Sequence, residues 1–299
     1  MGENTKIEWT DHTWNAWWGC MKVSEGCQHC YAETLSKRYG KHIWGPASTT
    51  ERMRTKGPWR DILKWDKAAK QDGVRRKVFC QSMSDFFEDH PQLVEWRREA
   101  CEILESLEWL DVQLLTKRPE NIDRMTPAFW TRYQWPKHIW IGASVENQET
   151  ADKRIPELLK VPAAVRFLSC EPLLGPVDII RGYQWSKGVL SDNYVPPISW
   201  VIVGGESGHN ARPMHPRWAR SLLDQCLDAG VPFYMKQWGE WVGGTGSKES
   251  WVYLQNETLP CGDKNTFEWG EGYVSQRVGK HAAGRLLDGR TWDEFPEVN

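Results

Sequence analysis

The 299-residue sequence has no run of about 18 apolar residues, the length a helix needs to cross a bilayer. No membrane partner is therefore expected. Its first residues, MGENTKIEWTDHTW, lack the apolar core of a secretory leader. A dominant charge is missing too: 38 Lys and Arg stand against 40 Asp and Glu, so no global basic field announces a nucleic-acid binder. Basic residues cluster compactly only at Arg75-Arg76-Lys77 and Lys117-Arg118. The eight cysteines also lack the even spread of a disulfide framework. Three crowd into eleven positions, whereas Cys80, Cys101, Cys170, Cys226 and Cys261 are scattered and mostly sit in apolar segments. Thiols of that second kind behave as small buried hydrophobes, and a reducing cytoplasm is the expected setting.

Tryptophan, by contrast, is abundant, with 20 residues. Most of these are expected to fill the core. Trp14, Trp17 and Trp18 lie just before Cys20 in WNAWWGC, where an apolar wall would shield a metal cluster.

From residue 77 onward a short apolar run, a polar or small cluster and an amphipathic stretch recur. The runs are Lys77–Gln81, Asp111–Leu115, Ile139–Gly142, Val165–Leu168, Trp200–Val203 and Pro232–Met235, and a seventh lies near Thr13–Trp18. Helices are expected over about 92–107, from 148 through about Leu159, and over 216–229. Strands that are apolar throughout belong to a sheet covered on both faces. The fold class is therefore α/β: a partial parallel barrel of six or seven βα units, with an open doubly wound sheet as the other arrangement. Residues 1–238 are expected to form the barrel, with 41–76 as an insertion or lid, and 239–299 a small irregular appendage.

Cys20-x6-Cys27-x2-Cys30 is the strongest chemical signal. Thiolates at this spacing can hold a metal centre. With His12, His29 or His42 they can complete a tetrahedral zinc site, and alone they leave one iron of a 4Fe–4S cluster without a protein ligand. Their place after the first strand of a βα series and before a short helix, Tyr31–Tyr39, favours the cluster. An open iron can take S-adenosylmethionine by its amino and carboxylate groups. One electron then breaks the sulfonium C–S bond and yields a 5′-deoxyadenosyl radical.

A three-cysteine loop after the first strand of a βα barrel resembles the radical S-adenosylmethionine superfamily, although the first spacing is x6 rather than the usual x3 and His29 replaces the usual aromatic. More closely, the segments IEWTDHTWN, WWGC, CYAE, SMSDFF, LLTKRPENI, GASVENQ, SCEPLLG, VIVGGESG, KQWGEW and GRLLDGRTWDEFP resemble a phage- and prophage-associated family of unassigned activity. The resemblance implies a divergent radical enzyme in the bacterial host cytoplasm. It also implies an electron donor such as flavodoxin or ferredoxin, and a nucleotide or DNA base, modified or hypermodified, as substrate.

On that reading the strand ends carry the site. Ser82, Ser84 and Asp85 would hold the cofactor's ammonium, though Ser and Asp there equally suit a helix cap. Ser144, Glu146 and Asn147 would meet its ribose or carboxylate. Gly204 and Gly205 permit close backbone approach, and Glu206 either joins the cofactor site or pairs with Arg212. Lys117, Glu171 and Lys236 are the candidate catalytic groups. Lys117, Arg118, Arg212 and Lys236 would line a positive mouth. The competing readings are a zinc-binding, tryptophan-rich nucleic-acid-interacting protein without catalysis, or a radical DNA-repair lyase.

Overall fold

A computed structural model describes residues 2–132, 134–179, 198–247, 250–253 and 265–297; Cys261 lies outside them. Seven parallel strands follow one another in chain order across one sheet: β1 (His12–Trp14), β2 (Arg76–Cys80), β3 (Leu110–Thr116), β4 (Ile139–Ser144), β5 (Arg166–Cys170), β6 (Trp200–Gly204) and β7 (Phe233–Gln237). This sequential order is that of the partial parallel barrel. The long helices are α1 (Tyr31–Arg38), α2 (Pro58–Asp72), α3 (Leu93–Glu105), α4 (Gln148–Leu159) and α5 (Pro216–Ala229).

The chain divides into two compact units, one of residues 1–143 with 156–167, the other of 144–155 with 168–297. In the first unit, Trp14 of β1 pairs with Cys80 of β2, which pairs in turn with Leu114 of β3. The strand interiors are buried because helices cover them. Parallel neighbours also need a crossover between them. Residues 58–72, expected within an insertion or lid, supply that crossover as α2. Pro58 opens it and Gly73, at φ 66°, closes it, while Trp59, Ile62, Trp65 and Ala69 are buried. Trp14 and Trp17 are fully buried core residues; Trp14 packs edge-on against Trp59 and donates its indole N–H to the Pro58 carbonyl.

In the second unit, every residue of β6 is buried, and β7 pairs with it through a bulge at Val203/Gly204. Helix α5 spans the expected 216–229; the left-handed Gly230 ends it. The described residues beyond 239 include an antiparallel sheet of β8 (Trp241–Ser247), β9 (Ser250–Tyr253), β10 (Thr266–Gly270) and β11 (Tyr273–Arg277). Cys80, Cys101, Cys170 and Cys226 are buried free thiols.

Candidate metal and cofactor site

The three cysteines lie on the loop that leaves the carboxyl end of β1 and enters α1. Gly19 must be glycine in this path: its φ is 109°, and a Cβ would lie 2.6 Å from the Ile43 carbonyl oxygen and 2.7 Å from Arg52 Cδ. Its N–H donates to the Met83 carbonyl, which fastens the loop to the segment after β2. Asn15 secures the same segment. It donates to Ser82 Oγ at 3.0 Å and accepts from the Met83 N–H at 2.8 Å.

Cys20, Cys27 and Cys30 are all half-buried. Cys30 caps the N-terminus of α1, where burial pushes its thiol up while the backbone amides of Glu33 and Ala32 favour the charged sulfur. Ser24 Oγ lies 3.8 Å from Cys27 Sγ. Arg118 Nη1 lies 3.7 Å from Cys20 Sγ, and Nη2 donates to the Met21 carbonyl at 2.6 Å. Burial raises the Cys20 thiol, and the Arg118 charge pulls the other way. By donor chemistry these residues fit a thiolate-held centre: three thiols on one loop, amide dipoles at one and a guanidinium at another. Among the described residues, no three His, Cys, Asp or Glu side chains are gathered closely enough to hold a metal as they stand. Loading such a centre therefore requires the sulfurs to converge.

Arg118 itself is buried and held by Asp85, whose Oδ2 accepts from Nη1 at 2.8 Å and from the Lys117 N–H at 3.0 Å. Asp85 Oδ1 takes Thr116 Oγ1 at 2.7 Å and the Phe87 N–H at 3.0 Å. Burial would raise this carboxyl, but the Arg118 charge and these donors together hold it below the usual range. With four donors on two oxygens, Asp85 has its capacity turned to Arg118 and the backbone rather than toward a ligand's ammonium. Ser82 Oγ is taken up with Asn15, and Ser84 Oγ donates to Gln81 Oε1 at 2.7 Å. Neither serves as a cap for α3, whose N-cap is Gln92. A second buried pair continues outward: Glu88 lies 3.8 Å from Arg118 and accepts two bonds of 2.8 Å from Arg52.

In the second unit, several expected ligand groups serve the frame. Glu146 is fully buried and pairs with Arg154 at 2.7 Å, and Arg154 also donates to the Ser144 carbonyl at 2.8 Å. Asn147 Oδ1 accepts from the Thr150 N–H at 3.0 Å, a cap at the start of α4. Glu206 accepts from Arg212 at 2.9 and 2.7 Å, the structural pair that was the other reading of this motif. Arg212 and Arg118 thus each sit on a carboxylate. Gly205 is required for packing, since a Cβ would lie 1.9 Å from the Trp238 carbonyl oxygen. Gly204 makes room for Glu171, whose Cδ would be 3.1 Å from a Cβ there. Glu171 Oε2 pairs with Lys236, while Oε1 and Gln237 Oε1 are buried acceptors without a protein partner. Gln237 Nε2 donates to Ser207 Oγ at 2.9 Å.

The family described as "Protein of unknown function (DUF5131)" matches residues 4–296, and the chain belongs to it. No functionally curated protein matches. Several solved structures of spore photoproduct lyase variants resemble the chain. One with dinucleoside spore photoproduct is 12% identical over 95% of this chain and 72% of its own, with a TM-score of 0.45. Another, with bound AdoMet and dinucleoside spore photoproduct, is 12% identical over 68% of this chain, with a TM-score of 0.44. The chain spans 58% of the length of that lyase and of a further single-residue variant, also at a TM-score of 0.44.

Proposed function

We propose that this member of the DUF5131 family is a radical S-adenosylmethionine enzyme whose 4Fe–4S cluster is held by Cys20, Cys27 and Cys30. The observation that carries the reading is the thiol loop itself. It leaves the carboxyl end of the first strand of a seven-stranded parallel sheet, with Arg118 and the α1 N-terminus beside its sulfurs. When bound, such a cluster supplies the electron that cleaves the cofactor's sulfonium bond, so that the resulting radical takes hydrogen from a substrate.

The protein's own groups position and screen. Asp85 and Arg118 fix the loop's Cys20 end to the end of β3. Lys117, whose charge favours the thiolate at Cys30, supplies positive potential next to the sulfurs. Glu171 and Lys236 are the pair proposed to touch a polar group of a ligand, because the Glu171 carboxylate keeps one buried oxygen unmatched within the protein. Ser144, Glu146, Asn147 and Glu206 act through the frame. A nucleotide or DNA base, modified or damaged, is the substrate class to test first, with flavodoxin or ferredoxin as electron source.

Anaerobic reconstitution with iron and sulfide is expected to give a brown protein. The Cys20→Ala, Cys27→Ala, Cys30→Ala variant should stay colourless. With dithionite and S-adenosylmethionine the wild type should release 5′-deoxyadenosine, assayed against modified and damaged oligonucleotides. Stoichiometric zinc with no visible chromophore overturns the reading.

A further inference from the structure

We infer that Arg118 is a positioning residue for the metal centre: it donates an N–H to the Cys20 sulfur, is aimed by Asp85, and so sets both the retention and the reduction potential of the cluster. The inference rests on the reading of the cysteine triad given above, and it concerns a residue 98 positions away from Cys20 in sequence.

The geometry is that of a built arm. Arg118 Nη1 reaches both Cys20 Sγ, at 3.7 Å, and Asp85 Oδ2, at 2.8 Å. Nη2 closes onto the carbonyl of Met21, the residue after the ligand, at 2.6 Å. The Arg118 backbone N–H donates to Thr116 Oγ1 at 2.9 Å, and that hydroxyl donates in turn to Asp85. One planar fork therefore grips a sulfur, the backbone beside it and a carboxylate whose own position is fixed by three further donors. Its side chain is 6% exposed, and that of Asp85 is 7% exposed. An ammonium in place of the guanidinium cannot span all three acceptors in one plane.

Two consequences follow for a cluster on these cysteines. Hydrogen bonds to cluster sulfurs, and a fixed positive charge beside them, stabilise the more negative, reduced state. Removing the fork therefore moves the midpoint potential to more negative values. The grip on Met21 also holds the Cys20 backbone in place against loss of the metal. Supporting partners of this kind typically change metal affinity by about 10- to 100-fold.

The test uses the full chain, reconstituted anaerobically, with iron per chain, the rate of bleaching by a chelator, and the midpoint potential from redox titration as readouts. Arg118→Gln is expected to bleach about tenfold faster than wild type and to titrate at a more negative potential. Arg118→Lys keeps the charge but not the fork, and should fall between the two. Asp85→Asn leaves the arginine but frees its aim, and should bleach faster with a smaller change in potential. Arg118→Gln strands a buried carboxylate and risks misfolding, so the double variant Asp85→Asn, Arg118→Gln, neutral at both positions, carries the same expectation. If the double variant is folded by circular dichroism yet matches wild type in bleaching rate and potential, the inference is overturned while the cluster reading stands. If wild type itself takes up no iron–sulfur chromophore, both fall together.

Discussion

At the scale of single residues, two glycines meet different demands of the fold, a close backbone approach and a helix start before proline. A Cβ at Gly205 would sit 1.9 Å from the Trp238 carbonyl oxygen, a backbone atom that cannot step aside without moving β7. Gly205→Ala is therefore expected to lower the thermal midpoint by roughly 5 °C or more. Gly57, the N-cap of α2, holds helical φ −68° and ψ −50° directly before Pro58, where a Cβ would crowd the proline ring. Gly57→Ala is therefore expected to destabilise as well, by about 0.5–1 kcal/mol, since alanine is also a poorer N-cap than glycine. Calorimetric melts of the two variants beside wild type check both losses; an unchanged midpoint for Gly205→Ala would contradict the argument. The same scale explains what the amino-acid pattern hid. Arg118 reads in sequence as half of a basic pair, since nothing local marks a guanidinium as the neighbour of a sulfur 98 positions away. Glu206, by contrast, lies six residues from Arg212, and that pairing was one of the two readings the sequence left open.

At the scale of elements, α2 shows how composition can mislead. The stretch 41–76 is polar and carries Gly and Pro, the mark of a loop, yet Trp59, Ile62, Trp65 and Ala69 recur on one helical face behind Pro58. That stripe was the available signal. A crossover was also required on topological grounds, because β1 and β2 run parallel. If the stripe anchors the helix, Ile62→Ala, which empties a fully buried position, should cost about 2–5 kcal/mol in urea unfolding. A cost below about 1 kcal/mol would mean that α2 is not part of the core. The sheet strands and α5 were easier to read, since a run buried on both faces needs apolar residues at every position and leaves a contiguous trace. The ligand roles were harder. Ser144, Glu146 and Asn147 stand at a strand end, but only three-dimensional partners such as Arg154 and Thr150 reveal that they hold α4 and its surroundings in place.

For the molecule as a whole, the titrating groups with resolved carboxylate and imidazole shifts all point one way. Burial pushes His12 and His215 below the usual 6.5. Asp85 and Glu33 lie below their ordinary 3.8 and 4.5, since burial is outweighed by Arg118 and its companion donors at the first and by Lys22 and Lys37 at the second. In every case the folded chain holds protons less readily than the unfolded one, so acid favours unfolding. Stability from the two histidines is complete above about pH 6.5 and drains away as pH falls below it. The carboxylates add a second loss below about pH 4.5. The thermal midpoint should accordingly fall between pH 7.5 and 5.5, and His12→Gln, His215→Gln should flatten that first decline. A midpoint indifferent to pH across this interval would count against both assignments. The arm from Arg118 to Cys20 has a further consequence, for the order in which a newly made molecule matures. The three cysteines are synthesised before their guanidinium, which lies 98 positions after Cys20 and arrives only after β3 has been made and has docked beside β2. Until then the Cys20 sulfur lacks the guanidinium beside it, although backbone bonds from Gly19 to Met83 and from Gly45 to Cys20 can already hold the loop. The Arg118 setting of these sulfurs is thus a property of the folded first unit, and insertion of the proposed cluster is expected after its folding rather than during chain growth.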